Sequence, residues 1–130
     1  MPKSPAWIEL RAFVVGRQFE EAAVLLARQP SLCSAVDGMG ETVLHYLAVE
    51  NDQQGVSWLA SHGFDINTRN EFGTPVVFEV AQLDYRDLLQ WFISKGADLK
   101  CRDGEGKNLK EYVLEFGHED IARHLESLGI

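Results

Sequence analysis

The histidines are the residues of this chain whose type and spacing most resemble a catalytic or metal site. His118-Glu119 begins like the zinc-binding sequence H-E-x-x-H, but Ala122 stands where the second histidine belongs. The next histidine, His124, lies six residues after His118, which is about 240° around a helix, so the two rings point apart. We therefore expect no metal site, with His118 at a helix start and His124 facing solvent.

Two further sequences resemble reactive motifs without meeting their requirements. Gly104-Glu105-Gly106-Lys107-Asn108 has neither the G-x-x-x-x-G-K-[ST] spacing of a phosphate loop nor a preceding strand, so it is interpreted as the tip of a turn. His45 has no paired nucleophile, and no G-x-S-x-G motif is present. We expect no catalytic residue, no cofactor and no enzymatic activity. An enzyme or small-molecule regulator with an unrecognised site is kept as an alternative.

Charge and hydropathy narrow the class of partner. The net charge is −8, with 20 acidic and 12 basic residues, which argues against a broad basic face for nucleic acid or an anionic membrane. It is compatible with a basic protein partner. No apolar run approaches the roughly 20 residues of a membrane span, and the stretch from Met1 to Trp7 lacks the apolar core of a signal peptide. We expect a cytoplasmic protein.

The elements that position these residues follow from an internal repeat. Glycines recur at intervals of 33 residues in two series, and three other pairs keep the same offset: Gly40, Gly73 and Gly106; Gly63, Gly96 and Gly129; Asp65 and Asp98; Ala48 and Ala81; Trp58 and Trp91. Such a period is the sequence signature of a stacked array of one supersecondary unit.

Each unit contains a turn followed by two short helices. Asp37-Gly38-Met39-Gly40 and Asn70-Glu71-Phe72-Gly73 are turn sequences. Thr42 to Val49 is predicted as a helix capped by Thr42, and second helices are predicted over 54–62 and 86–95, each ending at a glycine. Because Thr74-Pro75 stands one residue early in its unit, the following helix is predicted to start one residue out of register.

The motifs Asp37-x-x-Gly40-x-Thr42-x-Leu44-His45 and Gly63-x-Asp65-Ile66-Asn67 resemble the two signatures of an ankyrin repeat, and Gly96-Ala97-Asp98-Leu99 repeats the second. The resemblance implies an all-α solenoid of about four helix-turn-helix units with β-turn fingers, in one domain over residues 1–130. Its parts are an N-terminal capping helix pair (1–36), two repeats (37–69 and 70–102) and a C-terminal capping repeat (103–130).

The resemblance also assigns roles to individual residues. It implies that His45 is structural and bonds the backbone between units. The register places Cys33 and Cys101 about two units apart, too far for a disulfide, so both thiols are expected to be reduced.

In a stacked array, the finger tips and the inner face of the first helices form one concave surface. We predict that a protein partner binds there. The predicted contact positions lie at the finger tips, at the finger bases and at the ends of the first helices: Met39, Glu41, Val49, Glu50, Arg69, Glu71, Phe72, Thr74, Gln82, Leu83, Arg102, Glu105 and Lys107. Two alternatives remain open: Phe72 folds back onto the neighbouring unit, or Trp58 and Trp91 mark a convex binding patch.

The function expected from this reading is a non-catalytic interaction module, monomeric and specific for an unidentified protein. A sharper version is a bacterial immunity protein that neutralises a cognate toxin, since small acidic ankyrin proteins resemble that class. A basic toxin, or another basic protein, would complement the acidic chain. A scaffold or self-associating structural protein is the third alternative.

Overall fold

The structure is a computed structural model that describes residues 5–130. The first four residues of the predicted capping segment lie outside the described residues. Within that range the chain is all-α, with eight α-helices and one short 3-10 helix: α1 (Pro5–Val15), α2 (Phe19–Arg28), the 3-10 helix (Pro30–Cys33), α3 (Val43–Val49), α4 (Gln53–Ser61), α5 (Val76–Gln82), α6 (Arg86–Ser94), α7 (Leu109–Glu115) and α8 (Glu119–Ser127). None of these helices is long and apolar enough to cross a membrane.

The helices keep the 33-residue register without a slip. The first helices begin at Val43, Val76 and Leu109, and the second helices begin at Gln53, Arg86 and Glu119. The predicted one-residue shift at Thr74-Pro75 was therefore wrong. Pro75 occupies the cap position that Thr42 and Asn108 fill in the other units, with an extended backbone and no side-chain cap. Its fixed φ already suits a helix start, so the helix begins in register without the side-chain bond.

The three finger turns are built by one hydrogen-bond pattern. In the first finger, the Asp37 carboxylate accepts from the amides of Met39 and Glu41, and the Gly40 amide donates to the Asp37 carbonyl. Asn70 and Asp103 repeat this arrangement one and two units later. The glycine that closes each turn has a positive φ, between 73° and 81°, which an L-residue adopts only at a cost.

The core runs the length of the stack because each helix pair buries its apolar side against the next. α3 packs against α1 and α5, and α5 packs against α7. The largest fully buried side chains come from every pair and include Trp7, Phe78, Phe92 and Leu125. Polar bonds also cross the units: the Tyr85 hydroxyl donates to the Val49 carbonyl, 3.0 Å away. The stack thereby holds the fingers and first helices in fixed relative positions.

The N-terminal pair joins the stack without a finger. Residues 16–18 separate α1 from α2, and Trp7, Leu10 and Val14 are fully buried as one stripe. The Trp7 indole donates to the Glu41 carbonyl at 3.2 Å. Pro30 opens the 3-10 helix two residues after α2 ends at Arg28.

Candidate functional site

Among the predicted contact positions, all of which the structure describes, the most exposed large apolar side chains lie at the finger tips. Met39 is 51% and Phe72 is 62% exposed, so Phe72 does not fold back onto the neighbouring unit. The two tips are held side by side, because the Glu71 amide donates to the Met39 carbonyl at 3.1 Å. Glu105 occupies the same position in the third finger and is also exposed. The tips thus form a fixed row of two apolar residues and one acidic residue.

The finger bases are polar and partly engaged within the protein. Glu41 and Thr74 are half-buried. Lys107 makes ion pairs with Glu105, at 3.5 Å, and with Glu115. The contact with Glu115 raises the pKa of the Lys107 ammonium. Because Glu115 ends α7, this lysine connects the third finger to the first-helix surface.

The two arginines at the finger bases bond their own turns. Arg69 donates to the Gly73 carbonyl at 2.9 Å, and Arg102 donates to the Gly106 carbonyl at 2.8 Å. Arg102 also lies 3.4 Å from Glu111. Both side chains remain exposed. Each arginine therefore braces its finger while its guanidinium stays accessible.

The ends of the first helices add a second exposed row. Glu50 and Leu83 follow α3 and α5 at equivalent positions, and Leu83 is 37% exposed. The next residue in this register is Phe116, which is 51% exposed. Val49 and Gln82, the last residues of α3 and α5, are only half-buried. We call the predicted contact positions, together with Phe116, the finger face.

A row that sequence reasoning did not select lies between the fingers and the helix ends. Tyr46, Glu79 and Tyr112 are 33 residues apart and half-buried on α3, α5 and α7. Burial and the nearby carboxylates of Glu79, Asp103 and Glu115 raise the pKa of Tyr112 to about 12. The 33-residue spacing of these residues was a sequence signal that could have identified the row. Each member directly follows His45 or the residue equivalent to His45 in its own unit. It places a phenol, a carboxylate and a phenol beside the finger face.

His45 has a different partner from the one that the resemblance implied. Its side chain is completely buried, and Nε2 lies 3.0 Å from a carboxylate oxygen of Glu79 in the next unit. The expected bond to backbone is therefore wrong, although the contact does join two units. In the unit of Glu79, the position equivalent to His45 is occupied by Phe78. The Asn70 amide donates to the same oxygen of Glu79 at 2.9 Å.

Among the described residues, Glu41, His45 and Glu79 form the group whose ligand atoms could hold a metal ion, and all lie within 4.8 Å of one another. Nε2 of His45 lies 3.8 Å from Glu41. A histidine that ligates a metal normally donates its other ring N–H to an acceptor, but Nδ1 of His45 is buried without one. The geometry therefore favours donation from Nε2 to Glu79, which is a link between units.

The other residues singled out by type have structural surroundings. Cys33 and Cys101 are free thiols, and burial raises the pKa of each. His118 stands at the start of α8 as predicted, whereas His124 is half-buried and not fully solvent-facing. None of these four side chains belongs to the finger face.

The tryptophans on the second helices are only partly exposed. The Trp58 ring stacks on Phe19, with centroids 5.3 Å apart, and on His62, at 3.9 Å. Trp91 packs edge-on against Phe92 at 5.0 Å. Trp58 thus covers the junction between the first two helix pairs. This is a packing role, which was the alternative to a convex binding patch.

Comparison with known families agrees with the fold and the finger geometry. A family model described as ankyrin repeats (many copies) matches residues 44–93, from α3 to near the end of α6. Three finger turns and helix pairs in one 33-residue register extend the same pattern to residue 127. Residues 44–93 are thus ankyrin repeats, and the described chain folds as an ankyrin-repeat array. Ankyrin repeats are generally protein–protein interaction modules and are typically not enzymes.

Proposed function

We propose that this chain acts as a non-catalytic binding module whose finger face contacts a partner protein. The single observation that carries the proposal is the pair of exposed apolar side chains, Met39 and Phe72, on neighbouring finger tips. Exposed Met and aromatic residues are enriched in interfaces, and here the hydrogen bond between the fingers fixes their spacing before binding. A preorganised row loses little conformational entropy on association.

Electrostatics support a basic partner. Glu50 and Glu71 are exposed on the finger face and make no ion pair with any residue that the structure describes. The cation Lys107 is shared between two carboxylates. With a net charge of −8, such a surface attracts cationic proteins and speeds their encounter, an effect that weakens as salt rises.

A double substitution tests the finger face. Immobilised wild-type chain and Met39→Ser/Phe72→Ser chain would be exposed to the same lysate, and bound proteins identified by mass spectrometry. Val24→Ser is the matched control, because Val24 is 52% exposed but lies on α2, away from the fingers. We expect at least one lysate protein to bind the immobilised wild-type and control chains and not to bind the double variant. Equal retention by all three chains would rule out the finger tips as the contact surface.

An immunity role is the more specific form of this proposal. The acidic excess of the chain supports it, since a basic toxin would complement Glu50 and Glu71. The role also implies a cytoplasmic protein that binds its toxin as a monomer, one to one. Co-expression with toxins encoded beside its gene is the test: rescue of growth by wild type, lost with Met39→Ser/Phe72→Ser, is expected. Failure to rescue from any of them would remove the immunity role and leave the binding proposal standing.

A further inference from the structure

Two shallow apolar grooves lie on the first and last helix pairs of the stack. The first, the acidic groove, has a volume of about 440 Å³ and is formed on α1 and α2 by Glu9, Phe13, Glu20, Glu21, Val24 and Leu25. The second, the basic groove, also measures about 440 Å³ and is formed before α7, on its first turn and after α8 by Leu99, Lys100, Arg102, Lys110, Leu128 and Ile130. Each combines an apolar floor with charged side chains at its rim.

Both grooves expose apolar side chains, since Val24 is 52% and Leu128 is 40% exposed. Surfaces of a repeat array that meet solvent are ordinarily polar. In the 33-residue register, Ile130 is equivalent to Ala97, which is 8% exposed, and Phe64, which is 4% exposed. The basic groove is therefore lined by a position that is buried in the two preceding units.

The rims of the two grooves carry opposite charge. Glu9, Glu20 and Glu21 are all exposed, and Arg28 is the single cation in the acidic groove. The basic groove has three cations and no acidic lining residue. Neighbouring carboxylates partly offset two of them, since Arg102 lies 3.4 Å from Glu111 and Lys110 lies 3.9 Å from Glu126. Lys100 makes no ion pair with any residue between 5 and 130.

We propose that a second copy of this chain docks end to end, with the acidic groove of one copy on the basic groove of the next. Such a contact joins two different surfaces of the same chain, so it propagates into an open-ended row unless it closes into a ring. It shares only Arg102 with the finger face and goes beyond the binding function proposed above.

The association is weak at physiological concentration. Both grooves are small, and two copies of a chain with net charge −8 repel one another at long range. We therefore expect a transient contact, with a dissociation constant on the order of 0.1–1 mM. The monomer expected from the sequence is then the dilute state of this equilibrium.

Charge reversal at each groove tests the proposal. The variants are Glu20→Lys/Glu21→Lys for the acidic groove and Lys100→Glu/Lys110→Glu for the basic groove, with Lys95→Glu, an exposed cation outside both grooves, as the control. Mean mass would be measured by light scattering over a concentration series at low and high salt. Wild type and control should gain mass with concentration, less at high salt, whereas each reversed variant alone should stay monomeric.

Mixing the two reversed variants provides the decisive measurement. Their grooves are again complementary to each other, so the mixture should regain the concentration-dependent mass that each lacks alone. The proposal would be overturned if wild type stayed monomeric up to about 1 mM. It would also be overturned if the reversed variants associated as strongly as wild type, because association would then use a different surface. Circular dichroism confirms folding, and if a reversed pair unfolds, the Gln versions of the same pairs should show reduced association. Undiminished association of those Gln versions would equally reject it.

Discussion

Replacing Gly40 by alanine inserts a methyl group where the first finger meets the second. A Cβ on Gly40 would lie 2.5 Å from the backbone nitrogen of Glu71, and Gly40 also has a φ of +73°. The substitution therefore has two costs, one from the left-handed backbone and one from the contact between fingers. Two other glycines separate these costs.

Gly106 closes the third finger and isolates the backbone cost. Its φ is +81°, and a Cβ there would have no heavy atom within 4 Å. Gly106→Ala should therefore lose only about 1–2 kcal/mol, the usual cost of the left-handed region for an L-residue. Gly104 isolates the contact: its φ is outside the left-handed region, but its Cβ would lie 2.2 Å from the Phe72 carbonyl oxygen. Forcing the backbone apart there should cost about 1–3 kcal/mol.

If the two costs add, Gly40→Ala should lower the free energy of unfolding by about 2–5 kcal/mol. Alanine also restricts the unfolded chain, which offsets about 0.4–1 kcal/mol in all three variants and largely cancels between them. Urea unfolding followed by circular dichroism measures the differences, provided that the slope with urea stays constant. The reasoning fails if Gly40→Ala is no less stable than Gly106→Ala, or if Gly104→Ala matches wild type.

Three further predictions concern charged and polar groups. Burial would raise the pKa of Asp52, but hydrogen bonds from Arg17 and the Gly55 amide hold that pKa below its usual value. The stability that this group contributes is therefore present above about pH 4 and is lost as the pH falls through the lowered pKa of the folded state. Urea titrations in acid should show a smaller stability advantage of wild type over Asp52→Asn, and a constant difference would contradict the prediction. The pKa of Tyr112 is raised to about 12 from an ordinary 10.0, so its contribution to stability is intact below pH 10.0 and is lost as the pH rises toward about 12. In a pH titration, phenolate absorbance should show a step at high pH that Tyr112→Phe removes. Persistence of that step in the variant would disprove its assignment to Tyr112. Glu79→Leu leaves buried His45 without its acceptor and should lower the free energy of unfolding, measured in urea, by about 1–3 kcal/mol. Glu79→Gln should lower it less. Equal stability of both variants and wild type would refute the link between units.

The repeat and its local geometry could be read from the sequence because the forces that set them act within a few residues. Asp37 bonds amides two and four positions away, and the Thr42 hydroxyl caps α3 through the amide of His45, three positions on. A 33-residue pattern of such residues therefore fixes the fingers and helices. Pro75 was misread because a shifted Thr-Pro pair suggested a shifted helix, whereas the finger turn and the packing of the core set the helix start.

Much less of the candidate site could be predicted. The sequence selected Met39 and Phe72 by type and position, but their exposure depends on how neighbouring fingers stack. It missed Tyr46, Glu79 and Tyr112, whose common face exists only once α3, α5 and α7 lie side by side. Partner contact at any of these positions stays a prediction.

The sequence by itself determined the unit: a capped turn and two short helices, repeated every 33 residues, with the polar and apolar positions of each. Only the tertiary structure decided which side chains meet across units, such as His45 with Glu79 and Trp58 with Phe19, and which apolar residues remain exposed at the tips and ends. The physical reason is range. Hydrogen bonds within a turn depend on adjacent residues, whereas contacts between units depend on the relative placement of surfaces about one repeat apart in the chain.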